Sequence, residues 1–108
     1  MARMNCPYLR AKVELSQERL RHIEANHPDL LPEHKQLIME CVADPDEVRR
    51  SVRCSNARLF SRWYSELRGG KHVVVVIVSE AGPSSRHWII TAYIARKLAE
   101  GQVEWKRG

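Results

Sequence analysis

Residues 72–79, HVVVVIVS, followed after a Gly-Pro loop by residues 87–93, HWIITAY, decide how this chain is read. Val73 to Val78 are apolar at both odd and even positions, so both faces of that strand must be covered, which places it centrally in a sheet. Ala81-Gly82-Pro83-Ser84-Ser85 supplies the turn, and His87 to Ile94 is expected to return antiparallel. Working back from the run, Arg68-Gly69-Gly70 is a hairpin signal. Arg58 to Leu67 and Val48 to Cys54 each alternate with a period near two.

Helical periodicity takes over upstream. Ser16 is suited to cap a first helix, with Leu15 and Leu20 at staple positions and Glu18 in the positive first turn. Pro28 stops that helix near Asn26 or His27. A second helix begins around Pro32, carries Leu37, Ile38, Cys41 and Val42 as its apolar stripe, and ends at Asp44-Pro45. Helices followed by a run of strands predict an α+β fold. Two N-terminal helices should pack on a four-stranded antiparallel sheet, or a five-stranded one if the segment ending at Trp105 joins it. Residues 1–12 read as a loosely held arm and 13–105 as one domain.

A net charge of +5 favours an anionic partner, because a basic surface concentrates and steers phosphates. Three cysteines, Cys6, Cys41 and Cys54, form no CxxC pair, and their odd number fits a reducing, cytoplasmic setting. No apolar run is long enough to span a membrane and no signal core opens the chain, so no membrane association is expected. No HExxH or Cys/His spacing, Walker loop, GxSxG or dinucleotide fingerprint is present, and neither a metal nor a cofactor is expected.

Strand alternation sorts the candidate chemistry by face. Phe60, Arg62 and Tyr64 share one side of their strand; Trp88, Ile90, Ala92 and Ile94 form an apolar face for the helices, leaving Thr91 and Tyr93 opposite. If the polar faces coincide, Arg62, Tyr64, Thr91 and Tyr93 make a donor patch suited to phosphate, since a guanidinium matches phosphate oxygens bidentately. The alternative is a solvated arginine among residues that favour strands anyway. His22, on the helix flank, is the acid–base candidate, or an exposed surface histidine. His27 is suited to the free carbonyls at the helix end. Arg58, Tyr64, Lys71 and Arg96 are the candidate nucleic-acid contacts.

The order RHIEANHPD, DPDEV, RLFSRWY, KHVVVVIV and WIITAYIARKLAEGQVEW resembles the phage-associated, nuclease-like domains of the barnase, EndoU, colicin and RelE superfamily (BECR) over about Val13 to Trp105. That resemblance implies a metal-independent endoribonuclease, in which the RNA 2′-hydroxyl attacks its neighbouring phosphate to leave a cyclic phosphate. It also implies a toxin-like or phage-linked role with RNA and an inhibitor or antitoxin protein as partners. By the same resemblance His22 is general acid or base, Arg62 (or Lys71) the phosphate cation, and Thr91 and Tyr93 the hydrogen-bond donors. The competing expectation is a catalytically silent RNA- or protein-binding module on the same fold.

Overall fold

The computed structural model describes residues 2–108. Seven strands and two helices follow in the order β1 (Ala2–Cys6), β2 (Ala11–Leu15), α1 (Gln17–Asn26), α2 (Lys35–Ala43), β3 (Glu47–Ser51), β4 (Ala57–Tyr64), β5 (Lys71–Glu80), β6 (Arg86–Ala95) and β7 (Gly101–Lys106). The strands form one sheet, ordered β1-β2-β6-β5-β4-β3-β7. Every pairing is antiparallel except β2 with β6, which is parallel through the single registered pair Glu14 and Trp88. The fold is therefore mostly β, with a seven-stranded mixed sheet, and this corrects the expectation of two leading helices on a four- or five-stranded antiparallel sheet.

The correction comes from the start of the chain, since β7 is the fifth strand allowed for by the segment ending at Trp105. Residues 1–12 were expected to be an arm, yet Met4 and Cys6 of β1 pair across Val13 and Ala11 of β2, and Met4, Cys6, Val13 and Leu15 are all buried. Two short segments with only two inward residues each carry too little periodicity to stand out in a sequence. At the other end, β7 adds to β3 as an edge strand. Glycine is needed where it starts: a Cβ on Gly101 would lie 2.7 Å from the Arg50 carbonyl oxygen.

The central elements follow the expected chemistry. The Ser16 hydroxyl accepts the Arg19 amide at 3.1 Å, and α1 closes with the His27 amide donating to the Ile23 carbonyl one residue before Pro28. We expect Ser16→Ala to cost about 1 kcal/mol of folding stability, measured by urea denaturation; an unchanged midpoint would show the cap to be dispensable. In α2, Ile38, Cys41 and Val42 are buried, and the Cys41 thiol donates to the carbonyls of Phe60 (3.3 Å) and Val73 (3.6 Å). Burial pushes that thiol well above its ordinary value, so it is a packing group and not a nucleophile.

Pairing partners across strands share a face. The covered face carries Val48, Phe60, Val73, Val75, Ile77, Ile89 and Ala92, which join Ile23, Ile38, Cys41 and Val42 of the helices and the inward residues of β1 and β2 in one core. The opposite face carries Glu47, Ser61, Trp63, His72, Val74, Val76, Thr91 and Tyr93. Five residues, Arg96 to Glu100, connect β6 to β7 past β5, β4 and β3. Arg49, whose register puts it on this second face, donates to the Ala99 carbonyl at 2.9 Å and fixes the far end of that crossing.

Two bulges adjust the faces. In β6 the register shifts between Val76 and Ile77, so that Ile90 has no partner. Ala92 and Ile94 keep the expected core face, while Ile89 joins them in place of Trp88 and Ile90. In β7 a second shift leaves Glu104 unpaired between Val103, opposite Arg49, and Trp105, opposite Val48. An extra residue turns the strand by one side-chain position, which re-aims whatever it carries. No helix is long and apolar enough to cross a membrane.

Candidate active site

Arg58 sits on the core side of β4, opposite Ile77, where the apolar layer gives way to polar groups. Next to it on β3 is its registered partner Arg50. The bulge in β7 turns Glu104 toward both. Arg58 Nε donates to Glu104 Oε1 at 2.8 Å and Arg50 Nε to Oε2 at 2.6 Å, so each carboxylate oxygen has its own guanidinium. The Tyr8 hydroxyl, from the turn between β1 and β2, donates to Oε1 at 3.1 Å. Its ring packs edge-on to Phe60 with centroids 5.7 Å apart and lies 6.2 Å from Trp105.

On its other side Arg58 reaches β5 and β6. Its Nη1 donates to the Ser79 hydroxyl at 3.4 Å, and that hydroxyl lies 2.7 Å from His87 Nδ1. Since Ser79 accepts from a guanidinium, its own proton is free for Nδ1, which leaves the neutral imidazole carrying its proton on Nε2. His87 is brought to this face by the bulge at Ile90, which separates its phase from that of Thr91. Arg50 Nη1 also donates to the Ser55 carbonyl, anchoring the guanidinium from behind.

The electrostatics follow from the contacts. Burial by itself would raise the Glu104 carboxyl, but hydrogen bonds from Arg58 and Arg50 outweigh it and hold the group below its ordinary range. His87 is shifted down, first by burial and then by the Arg58 charge. Tyr8 is shifted up by burial and by donating to Glu104. The cluster thus offers an anionic acceptor, two fixed cations, a neutral hydroxyl donor and an imidazole. Among the described residues no three His, Cys, Asp or Glu side chains gather as a metal site would require.

Of the residues singled out from sequence, Arg58 alone belongs to this cluster. Arg62 and Tyr64 lie on the helix side, where Phe60 on the same face already pointed: Arg62 donates to the Asp44 carboxylate at 2.9 Å and Tyr64 to Glu40 at 2.9 Å, tying β4 to α2. Thr91 and Tyr93 pair with Val76 and Val74 on the opposite face. His22 is exposed on α1, with Asn26 Nδ2 3.4 Å from its Nδ1. Lys71 caps the β4–β5 turn by donating to the carbonyls of Arg68 (2.8 Å) and Gly70 (3.2 Å), and Arg96 is exposed just past β6. The phosphate patch expected from Arg62, Tyr64, Thr91 and Tyr93 is therefore divided between two faces.

Glu104, Arg50, His87, Ser79 and Tyr8 were missed as a set because two one-residue bulges bring them together, and a bulge leaves no mark in apolar periodicity. The density of arginine between Arg49 and Arg68 was the usable signal. Comparison of the chain with protein-family models, with curated proteins and with solved structures gave no match.

Proposed function

We propose that this protein cleaves RNA without a metal ion, using the 2′-hydroxyl as nucleophile, and that the chemistry lies at Glu104, Arg50, Arg58 and His87. The observation that carries the reading is the Glu104 carboxylate held between two arginines, with a histidine one serine away. In-line attack needs a proton acceptor for the 2′-hydroxyl, a donor for the departing 5′-oxygen, and cations for the extra charge on the phosphorus oxygens. Glu104 is the acceptor, His87 in its protonated form the donor, and Arg50 and Arg58 the cations. A carboxylate held below its usual range is a weak base, so the arginines carry the larger share of the acceleration.

The roles fix the pH dependence. Glu104 must be ionised, and its carboxyl is shifted below the ordinary 4.5. His87 must be protonated, and it is shifted below 6.5. The kcat/KM profile should therefore rise as Glu104 ionises and fall as His87 loses its proton, giving a bell whose maximum lies below pH 6.5. The same His87 shift favours the neutral form in the folded state, so its contribution to stability is present above pH 6.5 and lost as the pH falls. A profile that climbs through neutrality to a plateau would remove His87 as the acid.

The direct test is a labelled mixed-sequence RNA incubated in EDTA beside DNA of the same sequence, with the product ends identified. Cyclic-phosphate ends from RNA alone, absent with Glu104→Gln and strongly reduced with His87→Ala, are the expected result. DNA cut as fast as RNA would dispose of 2′-hydroxyl attack. Cleavage retained by Glu104→Gln would dispose of the site.

A further inference from the structure

On the side of the sheet away from the Glu104 cluster, Trp63 of β4 is paired with His72 of β5. The indole is 47% exposed although its strand lies in the middle of the sheet, with neighbours on both edges. It is backed by little besides glycine and imidazole: a Cβ on Gly70 would lie 2.5 Å from its ring, and the His72 ring meets it edge-on at 4.9 Å. Diagonally beyond His72, Tyr93 of β6 pairs with Val74 on the same face, and the His27 ring lies 5.9 Å from it. Trp63 and His72 thus meet at one part of this face, and Tyr93 and His27 at another.

Three exposed cations lie around Trp63 and His72. Arg68 is in the turn after Trp63, 4.0 Å from the Asp29 carboxylate, and Arg96 and Lys97 directly follow Ala95, the registered partner of His72, whereas Lys71, the partner of Tyr64, belongs to the helix side. Glu47, the nearest carboxylate by register on the same face, is buried and neutralised by Arg49. Asp46 accepts the Trp63 amide and pairs with Arg107. The linking segment is tied at its far end by Arg49 to the Ala99 carbonyl.

We propose that this face binds single-stranded nucleic acid, with a base stacked on Trp63 beside His72 and the backbone phosphates running along Arg68, Arg96 and Lys97. Exposed rings on a sheet bind unpaired bases whatever their sequence, because every base offers a flat π face, while flanking cations follow the phosphates. The surface does not depend on the cleavage chemistry. It would hold a strand on one face of the sheet while the Glu104 cluster acts on the other, and a long RNA could occupy both.

A fluorescein-labelled oligothymidylate, followed by anisotropy across a salt series, tests this independently of cleavage because DNA lacks the 2′-hydroxyl. Wild type is expected to bind, with affinity falling steeply as salt rises. Trp63→Ala should weaken binding about 10-fold or more, Trp63→Phe should restore most of it, and Arg96→Ala should lower the salt slope by roughly 0.7. Lys12→Ala, which removes the same charge from β2, should change nothing. Since Trp63 is exposed, its truncation should leave the thermal midpoint near that of wild type. No binding by wild type at low salt, equal binding by Trp63→Ala, or equal losses from Lys12→Ala and Arg96→Ala would each overturn the proposal.

Discussion

Replacing Phe60 by alanine is expected to remove about 3–5 kcal/mol of folding stability, read from the shift of the urea midpoint at constant slope. Phe60 is fully buried at the centre of the covered face, between Val75 on β5 and Val48 on β3. Its carbonyl accepts the Cys41 thiol from α2, and its ring receives the edge of Tyr8 from the β1–β2 turn. Phe60 therefore joins the sheet, a helix and the N-terminal hairpin, its ring through the core and Tyr8 and its backbone through Cys41. The cavity left by truncation cannot be filled by collapse of any one of them without breaking contact with the others. Domains of this size have about 5–15 kcal/mol in total, so the variant should be partly unfolded at ambient temperature or melt far earlier. A loss under about 1 kcal/mol would mean that the interior is loosely packed at this point and that Tyr8 is not braced by Phe60.

Arg58→Ala is expected to lower RNA cleavage by about 10²–10³-fold while costing little stability. Arg58 is the single residue that touches both halves of the proposed machinery, Glu104 through Nε and the Ser79–His87 pair through Nη1. Its removal deprives the transition state of a fixed cation and also releases His87 from one of the charges acting on it. Arg58→Lys is informative because it keeps the charge but loses the planar fork, and a point charge cannot bridge both partners. The lysine variant should recover part of the rate. The basic limb of its pH profile should stay nearer to wild type than that of the alanine variant. Equal, small losses in both variants would place Arg58 in the architecture and leave the chemistry to other residues.

Legibility in the sequence followed the length and regularity of each signal. The apolar run of β5 needed cover on both faces: Val73, Val75 and Ile77 lie in the core with the helices, and Val74 on the other face is buried as well. Ser16, Pro28 and Asp44-Pro45 mark helix ends through backbone chemistry that acts within a few residues, and those ends stand where they were expected. The hairpin of β1 and β2 went unread because Met4, Cys6, Val13 and Leu15 are too few and too spread to establish a period. Ile89 and Ile90 are both apolar, so IITAY fits either phase of β6, and only pairing with β5 selects the one with a bulge. Arg62 and Tyr64 share a face with Phe60, and the burial of Phe60 is what sends both long side chains outward to α2. Glu104 reads as an ordinary outward residue of QVEWK until the register against β3 is known.

The bond from Tyr8 to Glu104 spans 96 positions in the chain. Local pieces such as α1, the β4–β5 hairpin and the β5–β6 hairpin can form early, since their loops are short to close. The Glu104 cluster cannot, because it draws on the first hairpin and on the seventh strand and so waits for the most distant parts of the chain to meet. Folding order thereby acts as a clock: while the chain is being made, or whenever either end of the sheet detaches, the arginines are present but the carboxylate between them is not. On the proposed reading, cleavage would be withheld until the last strand has docked.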